Sequence, residues 1–272
     1  MRKDIRPMTD DDIKCASLQI LIEIDSFCQK NNIKYSLAYG TLLGAIRHKG
    51  FIPWDDDIDV LMLREDYDKF VDSFNKDKTK PFSISTIDYD KEYRYPFAKV
   101  FNNKTIKDEH TYMKYGICVD VFPIDKIPKD REKAKRLLNK QDLFWNIMML
   151  KIIIWDNERP LYKNLFMSFC KPFLFFVPFS LIARIMQNNA KRYKDQGKDY
   201  FLGSLYSPYG EREFMTSDIY EGFTTVEFEN HHFNSLSKYH EYLHNLYGDY
   251  MKLPPIEERK SHHGFKAYWK NL

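Results

Sequence analysis

Four aspartates, Asp55, Asp56, Asp57 and Asp59, fall within five residues, and the chain then runs directly into Val60, Leu61, Met62 and Leu63. Between Asp55 and Asp68 there are seven acids and one base, a local charge of minus six. Carboxylates this close repel one another unless a cation neutralises them. On a strand from about Asp57 to Leu63 side chains alternate, so Asp57 and Asp59 project from one face and Ile58 takes the other. Oxygen-only ligands select Mg2+ (or Mn2+) over zinc, and Mg2+ is commonly held by one or two carboxylates together with substrate phosphates. The pattern therefore points to phosphate chemistry. A solvated acidic loop would not continue unbroken into IDVLML. An EF-hand loop starting at Asp55 would need glycine where Val60 stands and glutamate where Asp66 stands.

Gly40 and Thr41 add a second component. A glycine turn at a strand end, followed by a helix, offers backbone N–H groups and a helix N-terminus to phosphate oxygens. Together with the acidic strand it matches the nucleotidyltransferase pattern: glycine turn, spacer, then two carboxylates separated by one residue. A third carboxylate normally comes from a neighbouring strand. Asp120, flanked by Val119, Val121 and Phe122, is the first candidate because an unpaired charge there would be costly. Asp125 is the second, and a hydrogen-bonded structural aspartate is the competing reading of either.

The elements that must position these residues are legible from periodicity. Thr9 and three aspartates open a capped helix with Ile13, Ala16, Ile20, Ile24 and Phe27 on one face, ending near Asn31 and Asn32. A strand is expected over Lys34 to Tyr39, a short helix from Gly40-Thr41 through His48, a turn at Gly50 and Pro53, and the acidic strand. Tyr67, Phe70, Val71 and Phe74 repeat at helical spacing, and Phe82 to Ile87, Tyr95 to Phe101 and Ile117 to Phe122 read as strands of a small mixed sheet.

The chain has 272 residues, 43% hydrophobic and 30% charged, which suits a folded protein and excludes disordered and disulfide-scaffold classes. A net charge of +3 is too even for a protein that holds nucleic acid through its phosphates. Cys15, Cys28, Cys118 and Cys170 form no CxxC pair, so reduced, mostly buried thiols are expected. The N-terminus has no apolar stretch behind its charges, which implies residence in the cytoplasm. From Lys126 to Tyr200, however, 16 basic residues face 7 acidic ones. This stretch is rich in phenylalanine, and its longest uncharged run, Pro172 to Ala183, is too short to span a bilayer. Residues 143–186 read as a buried helical core, with an element resting on an anionic membrane surface as the alternative.

The segment YGTLLGAIRHKGFIPWDDDIDV resembles the signature of the LicD family, and similarity recurs at Ile117 to Asp125 and in the tail YLHNLYGDYMKLPP. The family includes bacterial phosphocholine transferases and the domain shared by fukutin and fukutin-related protein. The resemblance implies an α+β, nucleotidyltransferase-like (polymerase-beta-type) mixed sheet core with a mainly helical second lobe. One domain of that type would fill 1–272, with the core and metal site in 9–125 and the helical acceptor-binding lobe and family tail in 126–272. It also implies transfer of a phospho-alcohol from a CDP-linked donor, CDP-choline first and CDP-ribitol next, to a glycan hydroxyl, with release of CMP. An ordinary nucleotidyltransferase using NTP is a further alternative. By position, Asp57 and Asp59 correspond to the paired metal ligands and Asp120 to the third. Arg47 and Lys99 are candidates to neutralise charge on the leaving CMP and His48 to relay a proton, each with a scaffold role as the competing reading. For a choline group, Trp54, Tyr39, Tyr95 and Trp155 are candidate walls of an aromatic cage. The acceptor would be a cell-surface glycan, lipid-linked in one version, with peripheral membrane contact and no nucleic acid.

Overall fold

The computed structural model describes residues 5–74, 79–90, 93–108, 115–152, 159–195, 197, 199–259 and 265–270. A short strand β1 (Ile5–Pro7) leads into helix α1 (Asp10–Asn31). The Thr9 hydroxyl accepts from the Asp12 N–H at 3.1 Å and the Asp12 carboxylate accepts from the Thr9 N–H at 3.0 Å, a reciprocal cap. The helix buries Ile13, Ala16, Ile20, Leu21, Ile24 and Cys28 and stops where Asn32 turns left-handed, at φ 51°.

Next come β2 (Ser36–Leu37), α2 (Tyr39–His48), β3 (Asp59–Leu63), α3 (Arg64–Phe74), β4 (Phe82–Ser85), β5 (Ala98–Asn102), β6 (Thr105–Asp108) and β7 (Cys118–Pro128). The central sheet runs β2-β3-β7-β5-β4, with β3 and β7 parallel and the other pairs antiparallel. Helices α1 and α3 cover the sheet, α1 over β5 and β7, α3 over β3, β4 and β7. That cover explains why Val60, Leu61 and Met62 are buried in succession, without the polar alternation of a strand with one wet face. Truncating Leu61 to alanine would cost about 2–5 kcal/mol.

The second half supplies helices α4 (Arg131–Ile152), α5 (Leu161–Phe175), α6 (Phe179–Ala190) and α7 (Tyr239–Tyr247), and strands β8 (Tyr200–Gly203), β9 (Phe223–Phe228), β10 (His231–Leu236) and β11 (Lys266–Lys270). Most of the regular structure after residue 125 is helical, but four strands accompany the helices. The proposed division falls inside β7, whose far end pairs with β8, and β11 joins β1 and β6 in a second sheet. Strand β7 is continuous because Val121, Phe122, Ile124 and Ile127 are all buried in one core.

The β9–β10 hairpin turns on Glu229 and Asn230, both at positive φ (49° and 60°), as a two-residue turn with the twist of its strands requires. Its tip grips the loop ahead of the aspartates: the Glu229 N–H donates to Lys49 O at 2.9 Å, and the Glu229 carboxylate accepts from the Phe51 N–H at 3.0 Å. A Cβ on Gly50 would lie 2.2 Å from that carboxylate, so a larger residue there would have to displace the Glu229 side chain from its grip on the loop.

The expectation of a buried core over residues 143–186 holds for α6, which buries Ile182, Ala183 and Met186, and fails for α5, which buries only Asn164 and Met167. Among the described residues no single helix is long and apolar enough to cross a membrane; Leu161–Phe175 and Phe179–Tyr193 reach that measure only together, bent by 88°. Of the four free cysteines only Cys28 is buried, which corrects the expectation of mostly buried thiols.

Candidate active site

Strands β3 and β7 are parallel neighbours in a register that sets Asp59 opposite Asp120. This pairing brings together two acids that are 61 positions apart in the chain. The Asp59 N–H donates to the Thr41 hydroxyl at 2.8 Å, and the Asp120 N–H donates to Ile58 O at 3.0 Å, so both backbones are held at the strand entrance. Asp57 precedes β3 and sits in the connecting loop, which corrects the reading that it shares strand alternation with Asp59.

Burial, then the charges of Asp57, Asp120 and Asp55, push the Asp59 carboxyl well above the usual carboxylate range, while Lys99 pulls it down. Lys99 lies in β5 directly opposite Asp120, and its ammonium contacts both Asp120 oxygens at 2.7 Å. Burial acts against the Lys99 charge, but Asp120 outweighs it and holds the ammonium well above its ordinary range. Asp57, Asp120 and Lys99, with Lys107 and Tyr95, line a cavity of about 210 Å³. Its wall is shared between the central sheet and the smaller β1-β11-β6 sheet, which contributes Lys107. A cavity of about 290 Å³ between α1, α3 and β4 lies elsewhere, and its lining includes the Lys80–Glu23 ion pair.

Gly40 opens α2 against the acidic loop: a Cβ there would stand 2.7 Å from Asp55 Oδ2. The helix start, which has no side-chain cap, thus receives one of the chain's own carboxylates, the charge its dipole favours. Thr41 is buried and spends its hydroxyl on Asp59, so it positions the acidic strand. Tyr39, at φ 44°, is also buried; its ring stacks on Tyr209 (5.5 Å) and meets Phe122 edge-on (5.3 Å). The hydroxyls of Tyr209 and Tyr247 lie 2.7 Å apart, and the Asp59 charge adds to burial in pushing Tyr209 up to about 12.

The remaining expected residues gather elsewhere. The Arg47 guanidinium donates to Tyr250 O at 2.9 Å and to His48 Nε2 at 3.0 Å, tying α2 to the C-terminal tail. Trp54 lies edge-on to His48 (6.3 Å) and under the Arg259 guanidinium (5.6 Å). Arg47 and Trp54 line a separate cavity of about 410 Å³ together with Tyr247 and Pro254. Burial, then the Arg47 charge, lowers the His48 pKa. The four cage candidates are therefore not assembled: Tyr39 is packed, Trp54 faces the other cavity, Tyr95 borders the carboxylates with Lys99 4.5 Å over its ring, and Trp155 lies outside the described residues. Asp125 is also removed from the site, since Arg64 grips it at 2.7 and 2.5 Å in the core.

An all-oxygen set of acids around Asp59 fits a hard divalent cation. Among the described residues no three His, Cys, Asp or Glu side chains are already drawn to metal-binding distance. Asp57, Asp59 and Asp120 are the residues that would hold such a cation, and Asp120 would have to yield its contact with Lys99.

Comparison with known proteins identifies the family. The profile described as "LicD/FKTN/FKRP, nucleotidyltransferase domain" matches residues 32–151, a span that holds Gly40, Asp57, Asp59, Lys99 and Asp120. The lipopolysaccharide cholinephosphotransferase LicD of Haemophilus influenzae is 33% identical over 257 residues, 92% of this chain and 94% of its own. The chain belongs to the LicD family. Uncharacterized proteins of Rickettsia prowazekii and Rickettsia typhi are each 50% identical over 48 residues, 18% of this chain.

Three residues of this LicD-family chain were missed in the sequence. Lys107 reaches the cavity from β6, which pairs with β11 in the smaller sheet, and no local pattern marks it. Glu213 is fully buried behind Tyr39; burial pushes its carboxyl up to about 7, and the nearby Ser207 and Tyr39 hydroxyls offset only part of that cost. Glu229 was invisible because its grip on the 49–51 loop spans 178 positions.

Proposed function

We propose that this chain transfers phosphocholine from CDP-choline to a hydroxyl of a cell-surface glycan, releasing CMP. The observation that carries the reading is the Asp59–Asp120 register pair at the end of parallel strands, with Asp57 beside it and Lys99 and Lys107 in the adjoining cavity. The family supports the transferase class, and the printed name of the Haemophilus relative supports phosphocholine and a lipopolysaccharide acceptor; teichoic acid and capsule are the other glycans that fit. The sheet and its carboxylates support a nucleotidyltransferase-like core.

In the reaction the acceptor oxygen attacks the phosphorus that bears choline, and the bond from that phosphorus to the bridging pyrophosphate oxygen breaks, so CMP leaves with that oxygen. The hydroxyl proton passes to a carboxylate of the cluster. Lys99 and Lys107 offset negative charge on the donor's phosphates. Bound Mg2+ (or Mn2+) on Asp57, Asp59 and Asp120 would polarise the phosphoryl oxygens and stabilise the leaving group. Thr41, Gly40 and the Tyr39 stack keep the acidic strand and helix start in register. Purified protein with Mg2+ and CDP-choline should release CMP only when glycan acceptor is present. CMP release from CDP-ribitol alone among donors would replace choline by ribitol, and pyrophosphate release from NTP would overturn the reading.

A further inference from the structure

Helix α5 is built inside out. Tyr162, Phe166, Phe169, Phe173 and Phe176, spaced four, three, four and three residues apart, form one stripe along α5 and its C-terminal cap, and each is between 61% and 85% exposed. The opposite stripe, Asn164 and Met167 continuing to Leu174, faces the protein; Arg159 donates to Asn164 Oδ1 at 3.2 Å there. Water-facing aromatics in such a row are not explained by folding, which would bury them.

We propose that this stripe is a docking surface for an anionic lipid bilayer. From Arg159 to Lys194 there are seven basic residues and no acidic one, so the stripe is embedded in a segment of one charge sign. Lys163 and Lys171 lie on α5 itself, flanking the aromatics, as on helices that rest in the headgroup region with their cations among lipid phosphates. A second copy of the chain would set this acid-free segment against itself, which charge repulsion opposes. The surface is a convex helix and turn, suited to a soft, flat partner.

The turn from α5 into α6 is made rigid from below. Pro178 precedes α6, and Lys151 of α4 donates to Leu174 O while lying 4.8 Å over the Phe179 ring. Helix α6 in turn binds the wall of the carboxylate cavity: Gln187 donates to Pro96 O at 3.1 Å, next to Tyr95. Docking through α5 would therefore hold the cavity wall at a fixed place relative to the membrane, where a lipid-carried acceptor would be met. The binding itself stands apart from the transfer reaction.

The test is flotation of the full chain with vesicles of phosphatidylcholine alone and of phosphatidylcholine with phosphatidylglycerol. Binding is expected only with phosphatidylglycerol, weakening about tenfold or more between low and high salt. It should fall more than about tenfold in the triple variant Phe166→Ser, Phe169→Ser, Phe173→Ser, and less in Lys163→Glu. Asp59→Asn should bind like the parent, which separates the surface from the active-site reading. No binding at low salt, or full binding by the triple variant with an unchanged melting curve, overturns the proposal. A dimer abolished by the same triple variant would assign the stripe to a second copy, and membrane retention after alkaline carbonate washing would mean insertion; either result also overturns it.

Discussion

The carboxylate end of the central sheet and the outer stripe of α5 depart from ordinary packing in opposite directions. At the first, Asp55, Asp57, Asp59 and Asp120 are drawn together where burial and mutual repulsion make ionisation costly. At the second, five large aromatic side chains are turned to water while an asparagine faces inward. A folded chain retains such costs where another molecule relieves them: under the proposed function a cation and phosphates, and under the proposed docking a lipid surface. The two differ in what holds them. The acids are fixed by a register pair, two backbone hydrogen bonds and a glycine, whereas the α5 aromatics are fixed only by the helix that carries them.

That contrast is broken or sharpened by substitution. Asp59→Asn should lower acceptor-dependent CMP release by at least about a thousandfold, roughly 4 kcal/mol of transition-state stabilisation. Its melting temperature should stay level or rise, since a like charge is removed; retained turnover would remove Asp59 from the reaction. Asp125→Ala should behave in the opposite manner. It strands Arg64 in the core and should cost about 3 kcal/mol or more in urea unfolding. Activity per folded molecule should survive, and a loss equal to that of Asp59→Asn would move Asp125 into the site.

Glu213 lies between these extremes, buried but behind the site. Its carboxyl titrates at about 7 in the folded chain against an ordinary 4.5, so the folded state binds its proton more tightly. The contribution is therefore fully present below about pH 4.5 and is lost as pH rises through about 7. Glu213→Gln should remove that slope and be more stable than the parent at pH 8 by on the order of 2–3 kcal/mol, read as the difference between the two unfolding curves across pH. Parallel curves would show that the carboxyl is not protonated in the folded chain. The smallest effect belongs to α5. Phe169→Ser should change thermal stability by no more than about 0.5 kcal/mol, because the ring is already in water; a larger loss would mean that the ring is packed.

Much of the core was legible because it depends on short-range order. The α1 cap, the helix from Gly40-Thr41 through His48, which starts one residue earlier at Tyr39, and the strands around Asp59 and Asp120 all follow from local periodicity and capping chemistry. Errors arose where the interval between partners was long. Asp125 and Asp120 look alike in GICVDVFPID, and only the approach of Arg64 from α3 separates a structural aspartate from a site aspartate. Arg47, His48 and Trp54 belong to the same motif as the aspartates, yet α2 directs the first two, and the loop after it the third, toward the C-terminal tail.

The sequence by itself determined the local charge: carboxylates are dense ahead of an apolar strand, with a glycine turn before it. It also set the charge sign of the helical segment. Tertiary structure alone decided which acid pairs with Asp59, which lysines face it, that Tyr39 is scaffold, and that the α5 aromatics point outward. Residue type and local spacing carry charge, ligand hardness and helical period, but direction is set by packing partners, and those lie tens to hundreds of residues away.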